Sequence, residues 1–192
     1  MEILSGTEMA SRGQEIAERL RNGEVAVFPT DTLYGFTADA RHYSAVEKIL
    51  ELKQRRSPIS CIPHDLAWAK ELVDSSVQDC FEQKIEEFRG GFTSLWPVTQ
   101  GERLLHPAVH TDALIAFRLP RHWISEFSSV HGIPLTTTSV NRTGEAPMRS
   151  LKDLAPGLKS GIDFVVDEGT LSGSPSTLVR CDQDDFPKTK RS

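Results

Sequence analysis

The 192-residue sequence is poor in cysteine. Cys61, Cys80 and Cys181 are odd in number, lie far apart and form no Cys-x-x-Cys pair. This usage argues against a disulfide framework or a zinc site and favours a reducing compartment. No apolar run approaches the ~18 residues that a membrane span needs, and the first residues lack the basic and apolar parts of a signal peptide. We therefore expect a soluble, cytoplasmic protein without a membrane partner.

Common catalytic signatures are absent as well. The sequence has no Walker A loop, no GxGxxG, no HExxH and no GxSxG, which argues against the enzyme classes that depend on them. His106 and His110 are four residues apart, but Pro107 makes a regular helix there unfavourable. We interpret them as exposed loop histidines and predict no metal site made by the protein.

The sequence also lacks an excess of positive charge, since its formal net charge is -5. A dedicated nucleic-acid binder needs a basic surface, so that class is disfavoured, although basic residues do cluster at 53–56 and near the end of the chain. Length and an ordinary composition indicate one domain. We assign it to residues 1–182 and expect a short polar tail over 183–192.

Apolar periodicity predicts helices and strands that alternate along the chain, which is typical of an α/β domain with a mixed sheet. Helices are predicted over 7–21, 44–53, 66–73, 77–88, 121–130 and 150–158. Strands are predicted over 25–28, 59–62, 92–96, 113–119, 134–138, 162–166 and 177–179. The segment 100–112 has little periodicity and is predicted to be a loop.

Polar clusters follow several of these strands. The first, Pro29–Gly35, comes directly after a buried strand, where α/β sheets bind ligands. Its threonines and aspartate could bind a ligand or could close a turn that only redirects the chain, and the pattern leaves both open. The cluster Thr136–Gly144 offers hydroxyls, an amide and backbone N–H groups for an anion, or alternatively a cap. A weaker cluster, Ser174–Thr177, precedes the last strand.

Two cationic features have competing interpretations. Lys53 and Arg55 end a predicted helix, where a solvated cap is the simpler interpretation and a polyphosphate clamp the alternative. Arg118 lies inside an apolar strand, and burying its charge is costly unless the charge is paired. It should therefore meet an internal carboxylate or face a site that binds an anion, and we favour the site.

In this order and at these separations, the clusters resemble those of the YrdC-type threonylcarbamoyl-adenylate synthases. Pro29–Gly35 matches the family pattern Pro-Thr-Asp-Thr-x-Tyr-Gly without a mismatch. The other matches are the Lys-x-Arg at Lys53 and Arg55, the strand arginine at Arg118, the Ser-Ala-Asn-x-Ser-Gly pattern at Ser139–Gly144, and the Ser-Thr pair at Ser176 and Thr177.

The sequence departs from the family at two places. The family's Trp-Pro-Gly-Pro-x-Thr has its counterpart at Phe88–Thr93, which keeps Thr93 but has Arg89 and Gly91 where the prolines stand. Arg56 replaces a proline after Lys-x-Arg, and His64 lies about two residues later than the family's histidine. These changes leave open an alternative function, a divergent protein that binds nucleotide or RNA and does not catalyse the synthesis.

The resemblance implies a single-domain, three-layer α/β fold, in which a strongly twisted mixed sheet of about seven strands, flanked by helices, curves around a central cleft. It implies the stand-alone form of a synthase that makes threonylcarbamoyl-AMP and pyrophosphate from L-threonine, bicarbonate or CO2, and ATP. Mg²⁺ would accompany ATP, held by its phosphates. The product would serve tRNA modification through a transferase complex, and direct contact with tRNA is an open expectation.

The resemblance also assigns roles to residues. Lys53, Arg55 and Arg118 are the predicted catalytic residues. ATP is assigned to Lys53, Arg55, Ser139 and Asn141. L-threonine is assigned to Thr30, Thr32, Arg118, Thr137 and Ser176. Asp31, Tyr34, Thr93 and Thr177 are assigned to the cleft, with Tyr34 as part of its wall.

Overall fold

The computed structural model describes residues 1–54, 59–98, 105–109 and 113–181, together with the backbone of 188–189. Arg55 and Arg56 of the Lys-x-Arg region, His110, and most of the predicted tail lie outside the described residues. None of the helices in the described part is long and apolar enough to cross a membrane.

The described residues form one mixed sheet of ten strands. The strands are β1 (Glu2–Ser5), β2 (Ala26–Phe28), β3 (Gly35–Thr37), β4 (Ser60–Ile62), β5 (Phe92–Pro97), β6 (Leu114–Phe117), β7 (Leu135–Ser139), β8 (Phe164–Asp167), β9 (Thr177–Arg180) and β10 (Lys188–Thr189). Their order in the sheet is β1-β8-β2-β3-β7-β4-β6-β5-β9-β10. Four neighbouring pairs are parallel (β1 with β8, β2 with β8, β4 with β6, β5 with β9) and the other five are antiparallel, so the sheet is mixed.

Seven α-helices flank the sheet in the described part of the chain. They are α1 (Gly6–Ser11), α2 (Gly13–Arg21), α3 (Tyr43–Lys53), α4 (Leu66–Leu72), α5 (Gln78–Lys84), α6 (Trp123–His131) and α7 (Pro156–Lys159). Single 3-10 turns lie at Ser75–Val77, Ile85–Phe88 and Leu151–Asp153. Together with the mixed sheet, these helices confirm the predicted α/β class.

Three apolar clusters join the helices to the sheet. One lies under α1, α2 and α6, and includes Phe28, Ile62 and Leu135. A second lies under α3 and α7 on the other side of β2, β3 and β8. The third packs α4 and α5 against β4, β5 and β6 around the fully buried Trp96. In β2, neighbouring residues belong to clusters on opposite sides of the sheet, as Val27 and Phe28 show.

Three predicted helices are not single α-helices. The one over 77–88 is α5 with a 3-10 turn at each end, and the other two are broken for visible reasons. The first is two helices, because Arg12 departs from helical geometry (φ -112°, ψ 20°) between α1 and α2. The predicted helix over 150–158 is a 3-10 turn followed by α7, because Pro156 cannot lie inside a helix but fits its first turn. The sheet also exceeds the expected number of strands by three short ones, β1, β3 and β10.

Candidate functional site

The loop after β2 is shaped by its own first threonine. Pro29 ends the strand, and the Thr30 hydroxyl then accepts the N–H groups of Thr32 (3.2 Å) and Leu33 (3.3 Å) and donates to the Leu33 carbonyl (2.7 Å). Thr30 is 2% exposed. The Thr30 hydroxyl therefore closes a turn, which is one of the two interpretations of this cluster, while its neighbours Asp31 and Thr32 face Arg118.

Arg118 follows β6 and is held by this loop. It is 8% exposed, and its Nη2 donates to Asp31 Oδ1 (2.7 Å), to Thr30 Oγ1 (3.2 Å) and to Thr32 Oγ1. The second carboxylate oxygen of Asp31, Oδ2, accepts the backbone N–H of Arg121 (3.0 Å). Arg118 thus meets an internal carboxylate, which is the less favoured of the two interpretations of its place in the sequence. That carboxylate belongs to the Pro29–Gly35 motif, so the pair brings two distant motifs together.

Lys53 is not the solvated cap that its sequence position suggested. It is the last residue of α3 and is 6% exposed, and its Nζ donates to the Ser139 carbonyl (2.6 Å) and to Asn141 Oδ1 (3.1 Å). Thr143 in turn binds the Lys53 carbonyl through its backbone N–H (3.3 Å) and its hydroxyl (3.2 Å). The end of α3 is therefore docked on the Ser139–Gly144 motif. Gln54, the residue that caps α3, is in the left-handed conformation (φ 52°).

Strand register places Arg118 on the face of the sheet that carries three hydroxyl side chains of β4 and β7. Ser60 pairs with Thr137, and Ser139 lies two residues further along β7, so these three residues share a face. On the neighbouring strands Ser94 pairs with Phe117, which puts Thr93 opposite Arg118. Because Phe117 and Ile62 belong to clusters on opposite sides, Arg118 and Thr93 lie on the face that carries Ser60, Thr137 and Ser139.

This face is rich in hydroxyl groups. Thr93 Oγ1 and Ser176 Oγ lie 2.8 Å apart and share a hydrogen bond between β5 and the approach to β9. Thr137 is 2% exposed, and its hydroxyl has no hydrogen-bond partner among the described residues. A buried hydroxyl without a partner is unfavourable, so this oxygen is suited to a bound polar group. Gly35 leaves room for a bound group beside this oxygen, because a Cβ at position 35 would lie 2.7 Å from Thr137 Oγ1.

Two residues assigned to the cleft point elsewhere. Tyr34 is fully buried, and its hydroxyl donates to the Gly169 carbonyl (2.8 Å) and accepts the Glu168 N–H (3.0 Å). Burial, the main cause, raises the pKa of Tyr34 to about 12. Tyr34 therefore anchors the segment after β8, and its assignment to the cleft wall stays a prediction. Alternation along β9 directs Thr177 to the face opposite Ser176, because Thr177 lies on the side of Val179.

An irregular segment between β8 and β9, residues 168–176, crosses the loop after β2. We call it the crossing segment. A Cβ on Gly173 would lie 2.4 Å from the carbonyl oxygen of Thr32 and 2.5 Å from its Cα, so only glycine allows this approach. Arg149 Nη1 donates to the Gly173 carbonyl (2.7 Å) and holds the segment there. Arg149 and Gly173 carry no motif that a sequence argument would single out.

His64, whose position departs from the family pattern, lies near the chain that follows Arg118. His64 lines a cavity of about 500 Å³ together with the segment Leu119–His122, which directly follows Arg118. Its ring packs on Trp68 with 4.6 Å between centroids. Burial and, less strongly, Arg41 lower the pKa of His64. Neither this cavity nor a second one of about 330 Å³ beside α3 and α7 is lined by Lys53 or Arg118.

His106 is not an exposed loop histidine. It is 4% exposed, stacks on Tyr43, and its Nε2 lies 2.9 Å from Glu47 Oε1. Its Nδ1 accepts the Ala108 N–H (3.0 Å), so Nε2 carries the proton and donates to Glu47. The described residues contain no group of three or more His, Cys, Asp or Glu side chains that could hold a metal ion.

Comparison with known proteins identifies the family. The profile of the Sua5/YciO/YrdC family, described as telomere recombination, matches residues 18–192. The chain belongs to this family. A Bacillus subtilis protein named threonylcarbamoyl-AMP synthase is 30% identical over 188 residues, which are 94% of this chain and 54% of the relative.

Other members are matched over more of their length. A Haemophilus influenzae threonylcarbamoyl-AMP synthase is 30% identical over 161 residues, which are 81% of this chain and 86% of that protein. Among solved structures, P. abyssi Sua5 complexed with L-threonine superposes with a TM-score of 0.80 at 21% identity, covering 95% of this chain and 54% of Sua5. The chain thus spans about half the length of the Bacillus relative and of Sua5, and the likeness to Sua5 shows the fold.

Proposed function

We propose that this chain is a threonylcarbamoyl-AMP synthase, which forms threonylcarbamoyl-AMP and pyrophosphate from L-threonine, CO2 or bicarbonate, and ATP. The observation that carries the proposal is the shared face of the sheet on which Arg118 and the Ser139 that binds Lys53 both lie. The names of the relatives support the same reaction, including one of which the chain covers 86%.

The proposed chemistry needs no covalent enzyme intermediate. The amine of threonine adds to CO2 and loses a proton, which gives a carbamate. A carbamate oxygen attacks the α-phosphorus of ATP, the bond to the β-phosphate oxygen breaks, and pyrophosphate leaves. Catalysis then consists of positioning and of stabilising negative charge, which fixed cations and hydrogen-bond donors provide.

Each cation has a proposed partner. Arg118 binds the carboxylate of threonine, and Lys53, with Ser139 and Asn141, binds the phosphates of ATP. Arg55 joins the phosphate contacts on the strength of the family motif alone, because it lies outside the described residues. Mg²⁺ would reach the site with ATP, held by phosphate oxygens and water.

The hydroxyls are proposed to orient threonine. Thr137 offers a buried hydroxyl without a partner, and Ser176 is held in place by Thr93. Thr32 lies against Arg118, so it can contact a carboxylate that binds there. Thr30 supports this arrangement from within the turn. The protein is proposed to act in the cytoplasm and to deliver its product to a transferase complex that modifies tRNA.

Release of pyrophosphate tests the proposal. Purified protein with MgATP and bicarbonate should release pyrophosphate only when threonine is present. Lys53→Ala should raise the KM for ATP more than that for threonine. For Arg118 the informative change is Arg118→Lys, which keeps a charge beside Asp31 but loses the fork of the guanidinium, and it should raise the KM for threonine more than that for ATP.

Two outcomes would contradict parts of the proposal. Equal effects of both variants on both substrates would refute the assigned roles. Retention of RNA with a steep salt dependence, without release of pyrophosphate, would refute synthesis and favour the divergent binding protein.

A further inference from the structure

The carboxylate of Asp31 holds two points of one short segment. Its Oδ1 accepts from the side chain of Arg118 (2.7 Å), and its Oδ2 accepts the backbone N–H of Arg121 (3.0 Å). The side chain of Asp31 is 13% exposed, and the side chain of Arg118 is 9% exposed. One carboxylate therefore fixes both the guanidinium and the main chain three residues later, and it joins the exit of β6 to the exit of β2.

All the hydrogen bonds that the loop after β2 makes to Arg118 go to a single nitrogen. Nη2 donates to Thr30, Asp31 and Thr32, and Asp31 is the charged acceptor among them. A guanidinium is planar, so fixing one terminal nitrogen together with the main chain at Arg121 limits the rotation of the whole group. A group whose orientation is set before a ligand arrives loses less entropy when the ligand binds.

We infer that Asp31 is a positioning residue, which orients Arg118 for the carboxylate of the amino-acid substrate. The inference rests on the proposed function, and it adds a residue that would not itself contact the substrate. Asp31 opposes the substrate electrostatically, because both are carboxylates beside the same cation. The geometric effect should nevertheless dominate, since both oxygens of Asp31 are already used to hold the segment in place.

The test separates position from charge. Asp31→Asn keeps the size of the side chain but has only one acceptor oxygen, so it can keep one of the two contacts. We expect the KM for threonine to rise about tenfold to hundredfold. Each tenfold corresponds to about 1.4 kcal/mol of lost binding free energy. The KM for ATP should stay within twofold. Asp31→Glu keeps the charge and both acceptors, and should recover part of the loss.

A purely structural role would have a different signature, because it would lower the unfolding temperature and the amount of active enzyme without changing the KM for threonine. Active-site titration of each variant therefore accompanies the kinetics. Tighter threonine binding in Asp31→Asn would mean that Asp31 competes with the substrate, and would overturn the inference. An unchanged KM for threonine in Asp31→Asn would overturn it as well.

The control is Asp74→Asn, which changes a partly exposed aspartate whose carboxylate accepts hydrogen bonds only from Ser76 among the described residues, and which should leave both KM values as they are. If the unaltered protein released no pyrophosphate with threonine, the proposed function would fail, and with it the substrate named here. If the unaltered protein were active and Asp31→Asn equally so, only the role of Asp31 would fail.

Discussion

Gly173 provides a sharp test of how the crossing segment supports the site. Its Cα lies against the backbone of Thr32, and a Cβ added there would meet the Thr32 carbonyl oxygen at 2.4 Å, the Cα at 2.5 Å and the carbonyl carbon at 2.8 Å. All three are backbone atoms, so no side chain can rotate away. To reach an ordinary contact of at least 3.4 Å, the two segments must separate by about 1 Å.

Gly173→Ala should therefore affect both stability and the proposed reaction. Overpacking of this kind costs about 1–3 kcal/mol of unfolding free energy. The same shift moves the Thr32 hydroxyl relative to Arg118, and a misplacement of ~1 Å can cost about 10²-fold in rate. We expect the kcat/KM for threonine to fall about tenfold to hundredfold, with the KM for ATP nearly unchanged.

The assay combines urea unfolding with threonine-dependent release of pyrophosphate. Gly91→Ala is the matched control, because a Cβ at Gly91 has no neighbour within 4 Å and its backbone is not in the left-handed region. Normal stability and kinetics in Gly173→Ala would show that the crossing segment does not rest on Thr32. The urea unfolding measurement by itself tests whether Gly173 packs against Thr32, and it does so even if the chain catalyses another reaction.

Two further predictions concern buried polar groups. Tyr34→Phe removes the hydroxyl that binds Gly169 and Glu168, and should lower the unfolding free energy by about 1–3 kcal/mol in urea titrations; an unchanged midpoint would contradict the anchoring role. The pKa of His64 is lowered, so the unfolded chain binds a proton at His64 more readily than the folded chain does. Neutral His64 therefore contributes to stability at pH values above its ordinary pKa near 6.5, and this contribution is lost as the pH falls through the lowered pKa. His64→Gln should flatten the loss of stability between about pH 7 and pH 5, and an identical slope would contradict this.

Most helices and strands could be predicted because their apolar spacing is regular. The predicted strand over 134–138 is β7, and the predicted helix over 44–53 is α3, each within one residue. The strands β1 and β3 could not be found, because they are three or four residues long and carry no alternation of their own. Their pairing with β8 and β7 exists only once the sheet has formed.

The members of the candidate site were easier to predict than their contacts. Lys53, Arg118 and Ser139 followed from the resemblance, but nothing local in the sequence indicates that Lys53 turns inward to Ser139. A cation at a helix end is exposed in most proteins, and only the docking of the Ser139–Gly144 motif on α3 buries this one. The roles of these residues towards substrates stay predictions, since the contacts described are those within the protein.

Arg118 shows why the two interpretations of a buried arginine need not exclude each other. An arginine that binds a substrate anion must also be stable before the anion arrives, and an unpaired guanidinium at 8% exposure would cost several kcal/mol. A neighbouring carboxylate meets that requirement in the resting protein. On the proposed function, Asp31 therefore makes Arg118 stable without substrate, and its place in the Pro29–Gly35 motif follows from that need. A substitution that removes the negative charge of Asp31 should then lower the unfolding temperature in the absence of threonine, and added threonine should raise that temperature less than in the unaltered protein, because the variant is expected to bind threonine more weakly. An equal or larger rise in the variant would contradict the positioning role of Asp31.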